Sequence, residues 1–258
     1  MTSYRNFIVL TTLLLAVSFL TACNSSNSPA DIYNMGCRYY NGDGVSVDKQ
    51  KAVELWQKAA ELGHDMAQYN LGACYNDGDG VEQNKEEAVK WFTKAAQQGN
   101  AEAQFNLGNR YYAGDGVEQN YEEAAKWFSK AAEQGIAQAQ NNLGACYNKG
   151  DGVKQDKAEA IKWFSKAADQ GLAEAQCTLG ICYYTGDGVE QNNEEAAKLF
   201  LKAAQQGDPQ AQYNLGIMYF EGDGVEKNVS ESEKWLKKSA EQGYSDAVES
   251  LKKLEELK

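Results

Sequence analysis

The tetrapeptide Gly-Asp-Gly-Val occurs six times in this chain, and each copy begins 36 residues after the one before it. The copies begin at Gly42, Gly78, Gly114, Gly150, Gly186 and Gly222. A constant period in this range is typical of proteins built from stacked repeats, in which each unit contacts its neighbours. The sequence therefore predicts a stacked array of similar units and not a set of independent domains.

Each repeat contains two segments with helical periodicity, and residues 101–135 serve as the example. In the first segment Ala103, Leu107 and Tyr111 recur every four residues, which indicates the apolar face of a helix, here called helix A. The second segment, helix B, follows the loop, and its apolar stripe consists of Ala124, Trp127, Phe128 and Ala131. The sequence therefore predicts a helix-turn-helix unit and an all-α fold.

Residues that start and stop helices lie at the ends of these segments. Asn120 precedes helix B, and Glu123 follows three residues later, an arrangement that resembles a capping box. Gly135 follows helix B, where a left-handed residue is expected. Gly72 and its counterparts lie inside helix A, where a glycine lowers helix stability by about 1 kcal/mol relative to alanine. Their recurrence predicts a close crossing with another helix.

Three segments carry a resemblance to a known family. Ala-x-x-Asn-Leu-Gly-x-x-Tyr, Gly-Asp-Gly-Val and Glu-Ala-x-x-Trp-Phe-x-Lys-Ala-Ala-x-x-Gly are similar to the Sel1-like repeat, a relative of the tetratricopeptide repeat. Six 36-residue copies cover residues 30–243. The resemblance implies a right-handed α-solenoid of antiparallel helix pairs, with the A helices on its concave face. Residues 244–258 begin like another helix A and then become charged, which predicts a polar capping helix.

The first 22 residues differ from the repeats. An apolar segment at residues 7–20 follows Arg5 and is shorter than the ~20 residues that span a membrane. The sequence Leu-Thr-Ala-Cys that ends at Cys23 resembles the lipobox of bacterial lipoproteins. That resemblance implies removal of a signal peptide (residues 1–22), lipid attachment to Cys23 and a lipidated tether at residues 23–29. Asn24 in the next position favours the outer membrane, facing the periplasm. The alternative is an ordinary signal peptide followed by a chance cysteine.

The formal net charge of −12 is spread evenly through the repeats. Nucleic acids and anionic lipid surfaces are negative, so the long-range field disfavours both as partners. No nucleic-acid partner is predicted, and contact with the membrane is expected through the N-terminal lipid alone.

Residues with catalytic potential are few. His64 is the single histidine of the sequence and lies at a repeat junction. No His/Cys spacing typical of a metal site is present. The Gly-Asp-Gly-Val loops lack the Gly-Lys-Ser/Thr ending of a phosphate-binding loop. The sequence predicts no catalytic residue, no metal and no cofactor.

An enzymatic alternative comes from cysteine-rich members of the family, some of which have been linked to penicillin binding or β-lactamase activity. Ser46 with Lys49, and Ser250 with Lys253, match the Ser-x-x-Lys motif by letter. The accompanying Ser-Asp-Asn and Lys-Thr-Gly motifs are missing. A β-lactam-binding or β-lactamase-like hydrolase is therefore the alternative to a non-enzymatic protein.

The cysteines also distinguish this chain from those relatives, whose repeats each carry a regularly spaced disulfide pair. The cysteines beyond Cys23 are odd in number and lack that spacing. We expect them to be small buried apolar residues: Cys37, Cys74, Cys146, Cys177 and Cys182.

A stripe on helix A varies between repeats, whereas the core stripe hardly changes. In repeat 1 the varying stripe consists of Tyr33, Cys37 and Tyr40. In the family's architecture this stripe and a neighbouring row of asparagines line the concave groove. Aromatic and amide side chains there are suited to binding a peptide, and in related tetratricopeptide domains an asparagine bonds to the peptide. The alternatives are hydrogen bonding between repeats for the asparagines, and packing between successive A helices for the rings.

The groove residues predicted on this basis are Tyr33, Tyr69, Asn70, Phe105, Asn106, Asn109, Tyr112, Asn142, Tyr184, Tyr213, Asn214 and Phe220. The sequence thus predicts a non-enzymatic scaffold or adaptor in the bacterial cell envelope. Its expected partner is a protein or peptide bound on the concave face.

Overall fold

A computed structural model of the protein describes residues 28–256, and all regular structure in that range is helical. The helices are α1 (Pro29–Asn41), α2 (Lys49–Glu61), α3 (Asp65–Asp77), α4 (Lys85–Gln97), α5 (Ala101–Ala113), α6 (Tyr121–Glu133), α7 (Ala137–Lys149), α8 (Lys157–Asp169), α9 (Ala173–Thr185), α10 (Asn193–Gln205), α11 (Pro209–Glu221), α12 (Val229–Glu241) and α13 (Ser245–Glu256). From α1 to α12, odd numbers are the A helices and even numbers the B helices of repeats 1 to 6.

The helices fall into two units, which divide between residues 118 and 119. The first unit contains α1 to α5 and the second α6 to α13. Within each unit every helix packs against the next one in sequence. The predicted fold class, an all-α repeat solenoid, is confirmed.

Side chains at the start of helix B cap it as predicted. The Asn84 side chain accepts a hydrogen bond of 3.0 Å from the backbone N–H of Glu87, and Asn120, Asp156, Asn192 and Asn228 do the same in later repeats. In repeat 2 the reciprocal bond of a full capping box is not formed. The backbone N–H of Asn84 instead donates to the carbonyl oxygen of Tyr75 at 2.8 Å, and the Glu87 carboxylate pairs with Lys90.

The predicted close crossing between helices A and B is confirmed in repeats 1, 2, 4, 5 and 6. A Cβ added to Gly72 on α3 would lie 2.8 Å from the ring of Phe92 on α4, and Gly36, Gly144, Gly180 and Gly216 meet helix B in the same way. Leu71, beside Gly72, is fully buried. The absence of a side chain at Gly72 therefore lets the two helices approach until the aromatic ring closes the core.

The Gly-Asp-Gly-Val loop does more than set the repeat period. Gly80, at φ +74°, lies so close to the preceding repeat that an added Cβ would be 2.6 Å from the carbonyl oxygen of Lys49. Asp79 of the same loop pairs with the Lys49 ammonium at 2.8 Å. Asp115 with Lys85, and Asp187 with Lys157, repeat this ion pair. Through this ion pair, each of these loops contacts the first residue of helix B in the preceding repeat.

A buried glutamine row was not predicted from the sequence. Gln68 is 4% exposed, and its amide nitrogen donates to the carbonyl oxygen of Ala60 at 3.0 Å. Gln104, Gln140, Gln176 and Gln212 occupy the same position in later repeats and bond in the same way. The signal was present, because glutamine recurs there in five copies, but a polar residue on a helix is usually exposed.

The predicted N-terminal features, the signal peptide at residues 1–22 and lipid attachment at Cys23, lie outside the described residues. None of the helices between residues 28 and 256 combines the length and apolar character that crossing a membrane requires. The last helix, α13, packs on α12 and buries Ala247 and Leu254. Its exposed residues include the charged side chains Asp246, Glu249, Lys252 and Lys253.

Candidate functional site

The predicted groove residues lie on the A helices, and each of them is half-buried. They are therefore neither freely exposed side chains nor parts of the closed core. Five of them line two open clefts between neighbouring A helices, one cleft in each unit: Tyr33, Asn70, Tyr184, Tyr213 and Asn214.

The first cleft has a volume of about 340 Å³ and is lined by residues of repeats 1 and 2. Tyr33 and Tyr40 reach it from α1, Trp56 from α2 and Asn70 from α3. The Asn70 amide donates a hydrogen bond of 3.5 Å to the Tyr33 hydroxyl. The Tyr33 ring stacks on the imidazole of His64, with ring centroids 4.5 Å apart. The walls of the first cleft are therefore fixed by contacts between the two repeats.

Carboxylates face the same cleft. Asp79 accepts a hydrogen bond of 2.7 Å from the Tyr40 hydroxyl, and Asp77 lies on the last turn of α3. The hydrogen bond to Asp79, followed by burial, raises the pKa of Tyr40 to about 12. Hydrogen bonds from Lys49 and then from Tyr40 lower the pKa of Asp79. The cleft thus combines the neutral phenol of Tyr40 with the ionised carboxylate of Asp79.

The second cleft, in repeats 5 and 6, has a volume of about 350 Å³ and a more apolar lining. Tyr184 from α9 and Tyr213 from α11 line it, together with Ile181, Phe200 and Ile217. The Tyr184 hydroxyl donates to Asp223 at 3.3 Å, and the Tyr213 ring lies 5.4 Å from that of Tyr244. This cleft offers an apolar floor with Asn214 as a polar contact.

Phe220 lines a third cleft, of about 280 Å³, between α11 and α13. Ser250 and Lys253, one of the two Ser-x-x-Lys pairs, also line it. The Lys253 ammonium pairs with Glu249 at 2.7 Å, and the side chain of Lys253 is 69% exposed. A lysine must release its proton to act as a base, and an exposed ion pair does not provide that setting.

The other Ser-x-x-Lys pair is no better placed. Ser46 is exposed, and Lys49 is engaged by Asp79. His64 caps α3, since its Nδ1 accepts a hydrogen bond of 3.3 Å from the backbone N–H of Ala67. Between residues 28 and 256, no group of three or more His, Cys, Asp or Glu side chains is arranged to hold a metal ion.

The remaining predicted groove residues lie at equivalent places on α3, α5 and α7. The Tyr69 ring packs at 5.9 Å from Phe92 of its own repeat, so part of its surface serves the fold. Phe105, Asn106, Asn109 and Tyr112 are half-buried on α5, as is Asn142 on α7. The role of these residues in binding stays a prediction.

Sequence reasoning did not single out the residues from other elements that complete the first cleft. Trp56 comes from helix B, and Asp77 and Asp79 come from the end of helix A and from the loop. One signal was available: tryptophan stands at position 56, whereas the later copies have phenylalanine or leucine there.

The cysteines between residues 28 and 256 are free, and four of them are buried, as the sequence predicts: Cys74, Cys146, Cys177 and Cys182. Burial is the main cause that raises the pKa of Cys74 to about 12, and of Cys146 and Cys182 to about 11. For Cys37 the expectation of burial is wrong, because this residue lines the first cleft and is half-buried.

The family model described as Sel1 repeat matches six consecutive segments, at residues 29–64, 65–100, 101–136, 137–172, 173–208 and 209–244. Among solved structures, a protective antigen of uropathogenic Escherichia coli strains that displays this repeat fold is 41% identical, with a TM-score of 0.82. That similarity covers 86% of this chain and 48% of the antigen, so this chain spans about half the antigen's length.

A Sel1 repeat protein from Oxalobacter formigenes is 35% identical, with a TM-score of 0.74, and the similarity covers 84% of this chain and 86% of that protein. None of the curated proteins matches the chain. With six matched repeats over most of its length, the chain belongs to the Sel1 repeat family.

Proposed function

We propose that the protein is a non-enzymatic scaffold that binds a protein or peptide along the face lined by its A helices, which is the concave face in the family's architecture. The observation that carries the proposal is the pair of open clefts formed by helix-A side chains of neighbouring repeats. Sel1 repeat proteins commonly mediate protein–protein interactions, which supports the same assignment.

The chemistry of the clefts suits a peptide. Each cleft, at about 340 or 350 Å³, has room for one or two side chains of a ligand. Tyrosine rings at both sites offer broad contact area with little loss of side-chain entropy. Asn70 and Asn214 lie beside those rings and have amide groups that match a peptide backbone.

The rings are held in place before a ligand arrives. Tyr33 is stacked on His64, Tyr184 is hydrogen-bonded to Asp223, and Tyr213 packs near Tyr244. Because these contacts already fix the side chains, binding loses little further conformational entropy. The same contacts give each ring a structural role, so a binding role must be tested without removing the ring.

The location we propose is the bacterial cell envelope, with the protein anchored by lipid at Cys23 in the outer membrane and facing the periplasm. The support is the lipobox-like sequence that ends at Cys23. Replacement of Cys23 by alanine should release the protein from the membrane fraction. Retention of the Cys23→Ala variant in that fraction would contradict lipid anchoring.

Site-specific crosslinking in cells tests the binding face directly. A photoreactive phenylalanine analogue at Tyr184 keeps an aromatic ring in the second cleft. The same analogue at Tyr121, an exposed tyrosine at the start of helix B, is the matched control. We expect Tyr184 to yield a discrete crosslinked protein, identified by mass spectrometry, that Tyr121 does not yield. Identical products from both positions would contradict a binding face on the A helices.

A further inference from the structure

Three aromatic rings and two carboxylates meet in the first cleft. Tyr33, Tyr40 and Trp56 form aromatic walls, and the rings of Tyr40 and Trp56 lie 5.1 Å apart. Asp77 and Asp79 line the same space. Aromatic faces and carboxylates both attract cations, and together they are suited to an ammonium or guanidinium group.

One lysine of the protein already makes these contacts. The Lys49 ammonium lies 5.2 Å from the centroid of the Tyr40 ring and 2.8 Å from the Asp79 carboxylate. That ion pair compensates the charge of Asp79. Asp77 is exposed, accepts a hydrogen bond of 2.7 Å from the Asn76 amide, and forms no ion pair with any of residues 28–256. The charge of Asp77 therefore remains for a ligand.

The raised pKa values of two neighbouring groups reflect the negative charge of Asp77 and Asp79. Burial, followed by Asp79 and Asp77, raises the pKa of the Cys74 thiol to about 12. Asp79 and Asp77 also contribute to the raised pKa of Tyr40, after its hydrogen bond and its burial. Carboxylates that disfavour a second anion in this cleft favour a cation there.

The other repeats lack this combination of a tryptophan and an aspartate. The position of Trp56 is occupied by phenylalanine in repeats 2 to 5 and by leucine in repeat 6. The position of Asp77 is occupied by Ala113, Lys149, Thr185 and Glu221. In the second cleft, Ile181 and Ile217 give an apolar lining instead.

We propose that the first cleft is a receptor for one basic side chain, lysine or arginine, of the bound peptide. This inference rests on the proposed function, because it names the residue class that the A-helix face recognises in repeats 1 and 2. The cation lies against the aromatic walls and pairs with Asp77.

Selection of random phage-displayed peptides on the purified full chain tests the inference. We expect the recovered peptides to share a lysine or arginine, and replacement of that residue by norleucine in a synthetic copy to weaken binding about tenfold. Asp77→Asn should weaken binding of the original peptide about threefold. Glu221→Gln is the matched control, since it removes the same charge at the same place on helix A, and it should leave that affinity unchanged.

The outcomes separate the two proposals. Recovered peptides that share no basic residue would overturn the cation receptor while leaving peptide binding intact. Equal weakening by Asp77→Asn and Glu221→Gln would also overturn it, because general attraction to an acidic protein would then account for the selection. Failure to recover any peptide that binds would contradict the proposed function itself. Circular dichroism of both variants checks that the helices are retained.

Discussion

The amide nitrogen of Gln68 donates a hydrogen bond of 3.0 Å to the carbonyl oxygen of Ala60, which joins α3 to the last turn of α2. Its amide oxygen accepts a bond of 2.7 Å from Gln98, which follows α4. One buried side chain thus bonds to a carbonyl at the end of the preceding repeat, which also accepts from the backbone N–H of Gly63, and to the residue that follows helix B of its own repeat. Gln176 and Gln212 make the same two bonds in the second unit.

Replacement of Gln140 by leucine should destabilise the second unit. Gln140 bonds to the carbonyl oxygen of Ala132 at 3.1 Å and accepts from Gln170 at 2.8 Å. Since the Ala132 carbonyl would lose a buried hydrogen bond and Gln170 a part-buried one, we expect the free energy of unfolding to fall by about 1–3 kcal/mol. Urea denaturation monitored by circular dichroism measures the free energy of unfolding. Gln138→Leu, exposed on the same helix, should change it by less than about 0.5 kcal/mol. Equal losses would contradict a special role for the buried row.

Two glycine-to-alanine changes separate backbone strain from a steric clash. Gly80 and Gly99 both have positive φ, at +74° and +97°. An alanine Cβ at Gly80 would lie 2.6 Å from the Lys49 carbonyl oxygen, whereas at Gly99 nothing lies within 4 Å. We expect Gly99→Ala to lower the free energy of unfolding by about 1 kcal/mol, from backbone strain alone. Gly80→Ala should lower it by about 3 kcal/mol or more. Thermal denaturation checks this order. Similar costs would show that the loop does not pack closely on the preceding repeat.

The fold could be predicted largely from the sequence because its signals are local and repeated. Helix ends follow from residues such as Asn84 and Gly99, whose effect depends on the adjacent backbone. The bond from Gln68 to Ala60 could not be predicted in the same way. It depends on a carbonyl group that another helix presents, and an exposed glutamine would give the same letter in the sequence.

The candidate site was predicted only in part for a similar reason. Comparison of the copies identified Tyr33 and Asn70, because their helix-A positions align at a fixed period. It did not show that Tyr69 packs on Phe92, or that Trp56 completes the first cleft from helix B. Those relationships depend on how far neighbouring helices are apart, which a repeat pattern does not specify.

Replacement of Tyr40 by phenylalanine should reduce the loss of stability at alkaline pH. The pKa of Tyr40 is raised to about 12 in the folded protein, against about 10 in an unfolded chain. The contribution of Tyr40 to the free energy of unfolding is therefore complete below pH ~10. It is lost as the pH rises toward ~12, because Tyr40 ionises first in the unfolded state. We expect the melting temperature of Tyr40→Phe to fall less steeply over this range than that of the wild type. Tyr39→Phe on the same helix is the control, and an equal change in slope there would contradict the assignment to Tyr40.

Thiol labelling should distinguish Cys37 from the other cysteines of the repeats. Cys74, Cys146, Cys177 and Cys182 are buried, and burial is the main cause that raises the pKa of each thiol. The thiolate is the reactive form, so these groups should react only after unfolding. Cys37 is half-buried beside the first cleft and should react in the native protein. In a Cys23→Ser background, an aromatic disulfide reagent should therefore label one thiol quickly, and Cys37→Ser should abolish that fast phase. A fast phase that survives Cys37→Ser would show that a buried helix-A cysteine opens to solvent in the folded state.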